Sequence, residues 1–121
     1  MATNEFNVVR CAKATYDFAT HGGAIGNALG LGVTIPSGAI VTKVTGSANT
    51  AFTSDGAATI AVNVGSVEVN AATAYNHADY TAVDVHYSTP VALSADSEIN
   101  LDIATAALTA GNYDIFVEYL V

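Results

Sequence analysis

Residues 29–65, LGLGVTIPSGAIVTKVTGSANTAFTSDGAATIAVNVG, carry three apolar runs of period two, separated by segments able to turn sharply. Leu29, Leu31, Val33 and Ile35 occupy alternate positions with Gly and Thr between them. That is the pattern of a strand with one buried face and one small, polar face. Pro36, Ser37 and Gly38 end the run, because the proline ring removes an amide donor and fixes φ while the glycine accepts a positive φ. The chain restarts at Ala39, and residues 40–45 form a second predicted strand. Thr53, Ser54, Asp55 and Gly56 give the next turn signal and lead into a third strand over 59–64. No residue in this block has a catalytic pattern.

On the N-terminal side, Phe6, Val8, Tyr16 and Phe18 share a parity, so residues 5–19 read as one long strand or two shorter ones, with a bulge as the alternative at Ala12 to Ala14. Residues 20–28 form a glycine-dense loop. It lacks the G-x-G-x-x-G spacing and the Lys-Ser/Thr pair of phosphate-binding loops, and a strand rather than a helix follows it. On the C-terminal side, residues 66–70 form a short strand, and order returns after Pro90 with Val91 and Leu93. Residues 98–103 are the clearest strand: Ile99, Leu101 and Ile103 make a core face, and Glu98, Asn100 and Asp102 a face for water or a partner. Residues 104–108 are long enough for one helical turn at most. Residues 109–112 are expected to turn the chain into a last strand over 113–121, apolar on both faces and therefore central. The count is about eight strands with no self-supporting helix. The expected fold is all-β: an antiparallel two-sheet sandwich, jelly-roll-like, forming a single domain over 1–121. A closed small barrel is the alternative, since parity does not distinguish two packed sheets from one curled sheet.

Of the 121 residues 12% are charged and 51% hydrophobic, against an average charged content of about 25%. So few charges leave a lone subunit poorly solvated, and flanks buried against copies of the same chain are expected. The formal charge of −8 opposes nucleic-acid phosphates and anionic membrane surfaces alike. No apolar run approaches the ~20 residues needed to span a bilayer. The start, MATNEFNVVRCAK, lacks the basic, apolar and small-residue regions of a secretory signal, so synthesis and assembly in a cytoplasm are expected. Cys11 is the single cysteine, which excludes an intrachain disulfide and a cysteine zinc cluster, and it is expected to be a buried, inert thiol.

Residues 71–89 read as one long polar and aromatic loop, in which Tyr75, His77, Tyr80, Asp84, His86 and Tyr87 are the candidate interface residues. Tyrosine supplies contact area with a polar tip. A metal set drawn from His77, Asp79, Asp84 and His86 matches no compact ligand spacing, and no cofactor motif is present. No nucleophile stands in motif spacing with a base, so no enzyme is expected. A sugar-binding module is the rival, with Tyr75, Tyr80 and Tyr87 as a stacking platform, and the absence of Trp counts against it.

Three pieces, LGLGVTIPSGAIVTKV (29–44), TAFTSDGAATIAVNVG (50–65) and ALTAGNYDIFVEYLV (107–121), taken in order and spacing, resemble structural proteins of tailed bacteriophages, most of all those that decorate the capsid exterior. The resemblance does not cover residues 71–89. It implies a non-enzymatic virion protein on the outer capsid surface, with a tail or fibre component as the alternative. It further implies a homo-oligomer, a trimer first, in contact with the major capsid protein or another virion protein. The acidic charge agrees with an outer position, away from packaged DNA.

Overall fold

The structure, a computed structural model, describes residues 9–121. Phe6 and Val8, which opened the first predicted strand, lie outside them. The strands are β1 (Val9–Asp17), β2 (Gly26–Ile35), β3 (Ile40–Ser54), β4 (Thr59–Val64), β5 (Val67–Ala74), β6 (Val83–Tyr87), β7 (Val91–Ala92), β8 (Ser97–Ala104) and β9 (Leu108–Leu120). A four-residue helix, α1 (Phe18–His21), follows β1, and a 3-10 turn, Ala78–Tyr80, precedes β6.

Every pairing is antiparallel; β1 with β9, β2 with β8, β3 with β6 and β7, and β4 with β5 are nested, and the pairings of β3 with β9 and of β4 with β8 join these nested pairs side by side. This is a long hairpin folded over on itself, the jelly-roll topology. It yields a five-stranded sheet in the order β1-β9-β3-β6, with β7 beside β3, and a four-stranded sheet in the order β2-β8-β4-β5. The sheets are separate, so the sandwich forms and the barrel does not. Alternation places the apolar rows between them: Ile99, Leu101 and Ile103 of β8 and Ile60, Val62 and Val64 of β4 face Tyr113, Ile115 and Val117 of β9, all buried.

The outward row of β8 departs from expectation. It does not simply meet water. β2 is bulged at two places, with Ala28 at φ 55° and Gly32 at φ 83°, and the amides freed there are satisfied by β8 carboxylates. Ala28 N donates to Asp102 Oδ1 at 2.7 Å, and Gly32 N to Glu98 Oε2 at 3.0 Å. Between them Asn100, only 5% exposed, accepts from Asn63 Nδ2 at 3.0 Å. The row that looked free for a partner is bound to its own sheet.

Two further expectations are corrected. Residues 109–112 are not a turn but the start of β9, because β3 runs on to Ser54 and pairs Thr53 with Ala110 and Ser54 with Leu108. Gly111 permits this: its φ is 150°, and the ring of Phe52 lies 2.5 Å from where a Cβ would stand. Residues 104–108 make no helical turn. The reversal is tighter, with Thr105 at φ 72° and Ala106 N donating to Ala104 O at 2.8 Å. Cys11 is exposed rather than buried, since in β1 the even-numbered Ala12, Ala14 and Tyr16 take the inward face.

Leu101→Ala is expected to cost about 2–5 kcal/mol by loss of buried methyl groups, while Thr34→Ala on the exposed side of β2 stays within about 0.5 kcal/mol; chemical denaturation of both variants measures it. Cys11 in the folded protein is expected to react with a thiol reagent at a rate close to that in denaturant, which a native-state titration reads directly.

Candidate contact surface

The segment 71–89 is ordered structure, not a long loop. β5 continues to Ala74, the 3-10 turn follows, and β6 pairs with β3 through Ser47 to Val83 and Thr45 to Val85. His77 caps the 3-10 turn, its Nδ1 accepting from Asp79 N at 3.2 Å.

This order is imposed by an aromatic cluster within the sandwich. Tyr16 of β1, Phe52 of β3, Tyr80 of the 3-10 turn, His86 of β6 and Tyr113 of β9 pack ring on ring, with centroids 5.4–5.9 Å apart. Tyr80 is fully buried, which corrects its expected place in an exposed loop. Its hydroxyl donates to Ile60 O at 2.8 Å and accepts from Asn70 Nδ2 at 2.9 Å, so the 3-10 turn is fastened to the four-stranded sheet. Tyr113 Oη donates to Asp79 O at 2.9 Å and also bonds His86 Nε2. Because the single Tyr113 proton goes to Asp79, His86 donates from Nε2 and its Nδ1 carries the lone pair. Nδ1 is buried without a hydrogen-bond partner among the described residues. Gly46 of β3 makes room for the pair: a Cβ there would fall on Tyr113 Oη and His86 Nε2.

Burial dominates the ionisation of these groups. It pushes the Tyr80 and Tyr113 hydroxyls up, with the neighbouring acids acting in the same direction and the Asn70 bond opposing at Tyr80. It pushes Tyr16 up to about 12. It holds His86 below its ordinary 6.5, although Asp79 and Asp84 pull the other way. The cluster is therefore neutral near pH 7 and acts as packing.

The six candidate residues are thus divided. Tyr80 belongs to the core and His86 to the half-buried edge of the ring cluster, while Tyr75 and Tyr87 are half-buried against the core. Asp84 is half-buried and accepts from Val85 N at 2.9 Å. Only His77 stands exposed. With Tyr80 buried, Tyr75, Tyr80 and Tyr87 make no shared platform for a sugar ring. Among the described residues no group of three His, Cys, Asp or Glu is placed to hold a metal ion.

What the segment does present is the other row of β6, Val83 at 73% and Val85 at 50% exposure. These continue the outer face of the five-stranded sheet, where cross-strand register aligns Lys13, Phe116, Thr45 and Val85. Cys11, Lys43, Thr45, Phe116 and Glu118 line an open depression of about 230 Å³ on that face. Lys13 lies 5.9 Å from the centroid of Phe116 and 3.7 Å from Asp114. Burial alone would raise the Asp114 carboxyl, but bonds from Thr15 and Asn49 and the Lys13 ammonium outweigh it and hold it below the usual 3.8. The sequence signal for this face is the V-D-V-H-Y alternation of 83–87 and the off-parity Phe116.

Among solved structures, a chain of the acidic stable capsid structure of Helicobacter pylori bacteriophage KHP30 is similar with a TM-score of 0.67, covering 94% of this chain and 88% of that one at 16% identity. A chain of the cyanophage Pam1 capsid asymmetric unit is similar with a TM-score of 0.69, covering 100% of this chain and 91% of that one at 20% identity. At these identities the likeness is one of fold. No protein-family model and no curated protein matches the chain.

Tyr80→Phe is expected to cost about 1–3 kcal/mol by leaving Ile60 O and Asn70 short of a partner, whereas Val83→Lys on the outer face is near neutral, both read by denaturant melts. Stability also depends on pH with a definite sign. His86 binds its proton more readily unfolded than folded, so the native state loses stability as pH falls below 6.5 toward the depressed folded value. A second loss follows from Asp114, whose contribution is present above 3.8 and disappears as pH falls through its lowered value. Melting temperatures from pH 8 to 3 are expected to show both, and His86→Phe to remove the first.

Proposed function

We propose that this chain is a non-enzymatic structural subunit of a tailed-phage virion, one that decorates the outer capsid surface as an oligomer and bridges neighbouring major capsid subunits. The observation that carries the reading is the end-to-end likeness in fold to chains of two phage capsid structures, with coverage near completeness on both sides of each comparison. Composition supports the same reading. A charge of −8 disfavours the DNA-facing interior of a head, and a chain with only 12% charged residues suits burial at many equivalent contacts. The whole length of 1–121 acts as one domain, and attachment uses the part of 75–87 that reaches the surface: His77, Val83 and Val85, flanked by Asp84 and Tyr87.

A subunit that binds only the intact shell stabilises it by mass action, by about 2.7 kcal/mol per site at a free concentration of 100 times Kd. Purified protein added to undecorated heads is therefore expected to bind in a fixed ratio and raise the temperature at which the heads open. Val83→Arg with Val85→Arg lowers occupancy while leaving the melting of the free protein unchanged. Heads that stay bare at saturating protein, with the chain recovered instead on tails or fibres, overturn the capsid assignment.

A further inference from the structure

β6 is a lightly held strand. It ends the five-stranded sheet and pairs with β3 alone, from Val44 to Ser47. Its inward anchors are His86, whose ring packs on Tyr80 and Tyr113, and the half-buried Tyr87. The His86 anchor fits in one protonation state only. Tyr113 gives its proton to Asp79 O, so the neutral ring donates from Nε2 to Tyr113 Oη and keeps a bare lone pair at Nδ1. That nitrogen is buried without a partner among the described residues, and a second N–H there makes a buried cation with no acceptor.

The surrounding groups do not supply one. On β6 itself Asp84 accepts from Val85 N at 2.9 Å. On the 3-10 turn Asp79 faces His77 Nδ1 at 3.4 Å and Asn70 Nδ2 at 3.5 Å, and a proton on His77 claims that carboxylate further. Both acids attract a proton to His86 through space, but burial outweighs them. Tyr80, Tyr87 and Tyr113 bring hydroxyls and no carboxylate. The inward row of β3 brings Val44, Gly46 and Ala48, none of which titrates, and the one acid of β5 is the exposed Glu68.

We propose that protonation of His86 releases β6 from the edge of β3, the imidazolium turning out into water while the rest of the sandwich stays folded. The fold confines the release. Tyr80 stays fastened to Ile60 O and Asn70, which holds the 3-10 turn, and the ladder between β3 and β9 does not pass through β6. The released ring binds a proton more readily than the packed one, so the released fraction grows as pH falls from 6.5 toward the lower folded value and is constant above it. β6 carries Val83 and Val85 away with it, which makes attachment through that row acid-labile. That consequence rests on the proposed function; the release does not.

Amide hydrogen exchange of the free protein from pH 8 to 4, corrected for the intrinsic rate, tests the release. Amides of 83–87 are expected to be at least about tenfold less protected than those of 113–117, the mark of an opening separate from global unfolding. Their protection is expected to fall by up to about tenfold per pH unit below 6.5. His86→Gln, which offers Tyr113 a donor and takes up no proton, is expected to flatten that dependence; His86→Phe replaces it if it does not fold. Equal protection of 83–87 and 113–117, or a wild type without the pH dependence, overturns the release. A dependence that survives in the folded variant belongs to another group and overturns the role of His86. On heads at pH 5 the wild type is expected to be shed and His86→Gln retained. Equal retention of the two overturns the acid-labile attachment and leaves the release standing, whereas heads that bind neither at pH 8 overturn the proposed function alone.

Discussion

The antiparallel ladder between β3 and β9, from the pair Ile40 and Leu120 to the pair Ser54 and Leu108, is the constraint on which the molecule depends. It lies at the centre of the five-stranded sheet and joins the first half of the chain to its end. Once it is set, β1 has only the free edge of β9 to pair with, and β6 only the free edge of β3. The same nesting brings β8 against β4 and leaves β2 and β5 to the outside. A sandwich held by such distant pairings closes large loops before it is rewarded, and slow folding is the kinetic consequence.

The aromatic cluster is where the two sheets and the 71–89 segment are made into one body. Phe52 and Tyr113 come from the central ladder, Tyr16 from β1, His86 from β6 and Tyr80 from the 3-10 turn. Their polar atoms mostly point to backbone carbonyls: Tyr16 to Gly22 O, Tyr80 to Ile60 O, Tyr113 to Asp79 O. Buried hydroxyls that are partnered in this way specify one arrangement of the connecting segments rather than simply adding apolar area. Glycine at 46 and 111 completes the cluster by surrendering side-chain volume to Tyr113, His86 and Phe52. The exposed apolar row of β6 is a by-product of the same packing, since turning its rings inward leaves Val83 and Val85 on the outside.

Where alternation was strict, the residues themselves determined the outcome. Ile99, Leu101 and Ile103, the run from Leu29 to Ile35 with its Pro-Ser-Gly stop, and residues 59–64 all form the strands their period requires, and together they specify an all-β sandwich. Tertiary structure decided what depends on partners distant in sequence. The polar row of β8 reads as a face for water or a partner, because nothing in residues 98–102 records that β2, some seventy residues earlier, bulges and needs acceptors. Thr109 to Asn112 has turn composition, yet pairing with an extended β3 draws it into a strand. Tyr80 sits in a polar, alanine-rich stretch that carries no core pattern, and only the space between Phe52 and Tyr113 makes it a core residue. Periodicity reports a side chain's direction relative to its own neighbours; which atoms lie at the end of that direction is a property of the folded chain alone.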